Sequence, residues 1–134
     1  MLHRRTLLIA ALASLAPAAA SASGAKKDKK KGGGLGFIQF ATLTATIMRP
    51  DGRRGVLTVE AGVDVQDQAL HTRAVQMTPR LRDAYARVVR NAAASLRPGM
   101  LPDPEGLARE LQKATDAVMG RPGARFLIGV VMVN

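Results

Sequence analysis

Two runs of alternating apolar and polar residues, separated by a short turn, limit this chain more than anything else in its sequence. Within residues 37–48, Ala41, Leu43, Ala45 and Ile47 alternate with Thr42, Thr44 and Thr46. Further on, Leu57, Val59, Ala61, Val63 and Val65 alternate with Thr58, Glu60, Asp64 and Gln66. A period of two sends successive side chains to opposite faces, which only an extended strand does. Pro50-Asp51-Gly52-Arg53-Arg54-Gly55 supplies turn chemistry between them. The pair therefore reads as an antiparallel hairpin with one dry face, and that face needs a cover.

The segment downstream can provide one. Asp67 is placed to cap a short helix over residues 68–77, and Thr78-Pro79 opens a second start, threonine as the cap and proline at the first helical position. Leu81, Tyr85, Val88, Ala92 and Leu96 then fall on one helical stripe, with Arg80, Arg82, Arg87 and Arg90 around the remainder. Arg97-Pro98-Gly99 ends that helix. Asp103-Pro104-Glu105 begins another, striped by Leu107, Leu111, Ala114 and Val118 and broken at Gly120-Arg121-Pro122-Gly123. Residues 126–133 form a nearly continuous apolar run interrupted by Gly129, which predicts a strand in the middle of a sheet or covered on both faces. The expected fold class is α+β: a three-stranded, antiparallel-type sheet with two helices packed on one face, in the order β-β-α-α-β. Aromatic residues make up only 3% of the chain, which points to a core of Leu, Val, Ile, Ala and Met.

Ahead of this domain, at residues 37–134, lie two segments of a different kind. Residues 1–24 have the grammar of an export signal: a basic start at Arg4 and Arg5, a short apolar stretch from Thr6 to Ala16, and a small-residue segment with Ala18-x-Ala20 and Ala20-x-Ala22 as cleavage options. A membrane-spanning helix needs about 20 apolar residues, and Pro17 interrupts this stretch, so cleavage is expected rather than anchoring. Arg4-Arg5-Thr6-Leu7-Leu8 resembles a twin-arginine signal. Residues 25–36 read as a flexible Lys/Gly tether, in which Lys26, Lys27, Lys29, Lys30 and Lys31 form either a solvated spacer or a contact for an anionic membrane surface. The expected location is the periplasm, with possible association with the inner membrane. Cysteine is absent, which removes disulfides, thiolate metal sites and lipid attachment at a cysteine.

The formal charge of +10 is concentrated at the front. Arg4 and Arg5 contribute two charges and the lysine run around Asp28 a net four, leaving four on the domain. With so few rings for stacking bases, nucleic acid is not the expected partner. The materials for catalysis are also sparse. His71 is the single histidine beyond the signal, and Ser95 the single serine beyond the tether, outside any Gly-x-Ser-x-Gly elbow. Glu60, Asp64 and Asp67 are the carboxylates to weigh as an acid–base set, against the simpler reading that Glu60 and Asp64 are solvated charges on the wet face of the hairpin. No cofactor, metal or catalytic residue is expected. Asp83 lies within about one helical turn of both Arg80 and Arg87, as local ion pairs or as a contact to a partner.

The element order, with a basic Gly/Lys tether before the first strand, resembles the periplasmic domain of the FliL family of flagellar basal-body-associated proteins. The resemblance runs from Phe37 to the carboxyl end. It is strongest in Val63-Asp64-Val65-Gln66-Asp67 followed by Thr78-Pro79-Arg80-Leu81-Arg82-Asp83-Ala84, where that family carries a proline, an arginine and an aspartate before an apolar helix. The departure is at the front, where family members usually keep a transmembrane helix. The resemblance implies a non-catalytic adaptor that contacts motor or stator components, or itself in a homo-oligomer. The alternative is an exported envelope-binding module with no flagellar role.

Overall fold

The computed structural model describes residues 36–134, so the export signal and the five tether lysines lie outside the described residues. The elements are β1 (Phe37–Gln39), β2 (Leu43–Met48), β3 (Arg54–Val65), α1 (Gln68–Gln76), α2 (Thr78–Ala94), α3 (Pro104–Met119) and β4 (Ala124–Val133). The architecture is α+β, with a four-stranded antiparallel sheet and three helices.

β3 is the hub, and every other strand pairs with it. β2 runs from Leu43↔Val59 to Met48↔Arg54, and β4 lies along the opposite edge from Leu57↔Val133 to Val65↔Ala124. β1 adds Phe37↔Asp64 to Gln39↔Gly62 on the β2 side. The expected first strand is therefore one pairing partner in two pieces. Phe40 still donates its N–H to Ala61 O, and the next pair is Leu43↔Val59, so Ala41 and Thr42 together stand opposite Glu60. This is a β-bulge, and it resets which side chains point inward. Before it Phe40 is buried; after it Leu43 and Ile47 are; Ala41, expected on the dry face, is exposed.

The helices cover one side of this sheet, α2 over β2 and α3 over β4. Asp67 caps α1 as expected, its carboxylate accepting from Leu70 N at 2.8 Å. Thr78 does not cap α2. Because α1 runs almost directly into α2, the Thr78 hydroxyl donates back to Ala74 O at 3.2 Å, and Met77 stands at the cap without a side-chain bond. Asp103 caps α3 by accepting from Glu105 N and Gly106 N at 3.2 and 3.1 Å. Asp103→Ala is expected to lower stability by about 1 kcal/mol, measured as a shift in the urea midpoint at unchanged slope.

The buried rows of the helices share the first two residues of each sequence stripe and then sit one residue later. They are Leu81, Tyr85, Val89 and Ala93 on α2, and Leu107, Leu111, Thr115 and Met119 on α3. Val88, Ala92, Leu96, Ala114 and Val118 pack at the margin of the core. Nor is the centre purely aliphatic. Phe40, Tyr85 and Phe126, three of the chain's four aromatic residues, meet there. Tyr85 makes edge-to-face contacts with both phenylalanines, at centroid distances of 5.3 and 5.1 Å.

Candidate functional site: the open face of the sheet

Alternation along β3 sends Leu57, Val59, Val63 and Val65 under the helices and Arg54, Val56, Thr58, Glu60 and Asp64 to the other side. No described element covers that second side. The pairing places Thr44, Thr46 and Met48 of β2 beside Thr58, Val56 and Arg54, and Arg125, Leu127 and Met132 of β4 beside Asp64, Gly62 and Thr58. Much of this surface is apolar. Val56, Met132, Met48 and Val130 are 42%, 45%, 48% and 48% exposed. At the hairpin end the apolar surface continues to Met100 and Leu101, which with Ile47, Met48, Pro50 and Val133 line a hollow of about 480 Å³.

The sequence expectation for β4 is corrected here. Its apolar run is neither central nor covered on both faces: β4 pairs with β3 alone, and its burial falls off beyond Phe126. Apolar side chains on both faces of a strand that is packed on one face leave one apolar set facing water. Contiguous exposed apolar surface of this kind marks contact sites for other molecules.

The outer edge of β4 is partly closed by a side chain. Gln112 on α3 donates from Nε2 to Ala124 O at 2.9 Å, and its Oε1 accepts from Phe126 N at 2.8 Å. Its amide thus meets two alternate backbone groups as a neighbouring strand would. The sequence reading missed Gln112, because one glutamine on a helix carries no signal of what it touches.

The residues singled out in the sequence are dispersed. Asp83 and Arg87 pair at 3.0 Å on the outer side of α2, 70% and 64% exposed, and Arg80 makes no ion pair among the described residues. An exposed pair one helical turn apart contributes a few tenths of a kcal/mol. These three residues lie on the helix-covered side of the molecule, away from the open sheet face. Asp67 is occupied by its cap and by Arg121 at 3.5 Å. Asp64 accepts from the Gln66 amide. The Ser95 hydroxyl donates to Ala92 O, and His71 is half-buried on α1. Among the described residues no three acidic or histidine side chains gather to hold a metal ion, and no helix is long and apolar enough to cross a membrane.

No protein-family model matches the chain, and no curated protein matches it.

Proposed function

We propose that this chain is a non-catalytic exported protein that works by protein–protein contact through the open face of its sheet, as a FliL-like adaptor in the periplasm. The observation that carries the reading is the apolar row Met48, Val56, Val130 and Met132, contributed by three strands to a face that no described element covers. An apolar surface in water favours association by about 25 cal/mol for each Å² removed from solvent. The side of the molecule bearing Asp83 and Arg87 has no comparable row. In the setting implied by the FliL resemblance, the partner is a motor or stator component or a further copy of the chain. The tether lysines hold the domain near an anionic inner-membrane surface, each adding roughly 1 kcal/mol of attraction close to the headgroups.

In-cell photo-crosslinking tests the reading. A photoreactive residue at Val56 or Met132 is expected to give a discrete adduct to a protein identifiable by mass spectrometry, while the same residue at Arg109 on α3 gives little. A motor or stator protein, or the chain itself, as the adduct supports the adaptor. An envelope protein unrelated to motility supports the alternative binding module. Equal yields from the helix side and the sheet face would refute the open face as the contact surface.

A further inference from the structure

The open face has one feature that its apolar row does not explain. Glu60 is the point at which both neighbours of β3 slip. On one side Ala41 and Thr42 stand opposite it; on the other, the register passes from Ala61↔Ile128 to Val59↔Val131, leaving Gly129 and Val130 opposite the same residue. Paired bulges around a single side chain widen the sheet there and clear space above it.

Two glycines keep that space empty. A Cβ at Gly129 would stand 3.0 Å from Glu60 Cβ and 3.1 Å from its Oε2, and a Cβ at Gly62 would stand 2.4 Å from the Phe37 ring. A side chain at 129 would press on the carboxylate, and one at 62 would displace the ring. What results is a hollow of about 320 Å³ lined by Phe37, Gln39, Glu60, Gly62, Leu127 and Gly129. Glu60 is half-buried beside it. Arg54 and Arg125 share its face, yet no arginine, lysine or other donor among the described residues bonds its carboxylate.

A carboxylate without a partner, set beside an aromatic ring and an amide in a partly desolvated hollow, favours a cation. The charge attracts it, the ring adds its quadrupole, and the Gln39 amide oxygen can accept a remaining N–H. We propose that the Glu60 hollow receives the guanidinium or ammonium group of an arginine or lysine side chain on the partner protein. A polypeptide suits it better than a free small cation because exposed Val130 and Met132 adjoin the rim and would contact the neighbouring parts of a chain. The proposal rests on the reading of the open face as a contact surface and adds the chemistry of what it takes.

Titration of ¹⁵N-labelled protein with N-acetyl-arginine amide, followed by NMR, tests the site directly. The expected result is saturable shifts at the Glu60, Gly62 and Gly129 amides. N-acetyl-citrulline amide, the neutral near-isostere, should bind about 5-fold or more weakly, and Glu60→Gln should weaken the arginine probe to a similar degree. Phe37→Leu should weaken it about 2-fold or more. Equal binding of the citrulline probe, or an unchanged titration in Glu60→Gln, overturns the proposal. So does putrescine binding ten times more tightly than the arginine probe, which would mark a small-molecule cation site. Crosslinking through Val56 separates this inference from the reading beneath it. An adduct whose yield is unaffected by Glu60→Gln sinks the cation receptor and leaves the contact surface standing. Arginine binding without any adduct leaves the receptor and removes the contact surface.

Discussion

Tyr85→Ala is expected to remove about 3–5 kcal/mol of stability, the largest loss from any single side chain considered. Tyr85 is fully buried and lies between Phe40 and Phe126, so its removal opens a cavity under both edge-to-face contacts. Native domains have only about 5–15 kcal/mol in reserve, so the variant should melt roughly 15 °C or more below the parent, as followed by circular dichroism. The hydroxyl contributes separately. Tyr85 OH and Thr115 Oγ1 are 2.7 Å apart, and the Thr115 hydroxyl is 2.8 Å from Leu111 O. Threonine has one hydroxyl proton. With that proton given to Leu111 O, the tyrosine is the donor of the pair.

The same burial sets a pH dependence. Removal from water, the largest cause, pushes the Tyr85 hydroxyl up from 10.0 to about 12; the Thr115 hydroxyl acts the other way because it can turn and donate to the ionised oxygen, and the nearby Asp116 charge adds to the rise. The folded protein thus holds this proton more tightly than the unfolded chain does. The stabilisation is complete below pH 10 and is lost as pH rises from 10 through about 12, by an amount on the order of 2–3 kcal/mol. Tyr85→Phe should cost about 1 kcal/mol at neutral pH. It should also unfold less steeply in alkali than the parent, and identical alkaline profiles would contradict the assignment.

Gln112 is expected to produce the second-largest effect. Gln112→Leu leaves Ala124 O and Phe126 N without their partners in a partly buried setting, at a cost of about 1–3 kcal/mol. Gln112→Glu keeps the size and still accepts from Phe126 N. It loses the donor to Ala124 O and sets a negative charge beside Asp116, with which the native amide bonds at 3.0 Å. Its cost should therefore be at least as large near neutral pH. Gln112→Leu reopens the outer edge of β4, and exposed edges recruit other strands. Static light scattering of the Leu variant at increasing concentration should show association absent from the parent. An unchanged urea midpoint in both variants would mean that the amide is incidental.

Several of these features were readable in the sequence, and the reasons are local. A strand's period of two and the Pro50–Gly55 turn depend on neighbours a few residues apart, so the hairpin and its dry side followed directly. The Asp67 and Asp103 caps are likewise short-range. Thr78 shows where local chemistry misleads. Threonine before proline is good capping grammar, but with α1 ending at Gln76 its hydroxyl lies closer to Ala74 O.

The helix stripes were displaced because rows at neighbouring offsets look equally apolar in α2, while in α3 the hydroxyl of Thr115 disguised a buried position. That hydroxyl is acceptable in a core because it donates to Leu111 O one turn back and accepts from Tyr85, thirty residues away. The bulges opposite Glu60 were similarly hidden. Gly129 was visible as an interruption, but a bulge belongs to a pairing between strands, and pairing is not written in either strand alone.

Sequence determined the kinds of element and their order, since periodicity, capping and turn chemistry act over a few residues. Tertiary structure alone decided which surface the described elements leave uncovered and which carboxylate lacks a partner among the described residues. Those outcomes depend on how distant segments share space: the apolar run of β4 reads as interior until it is seen that the helices lie on one side of the sheet and no described element covers the other.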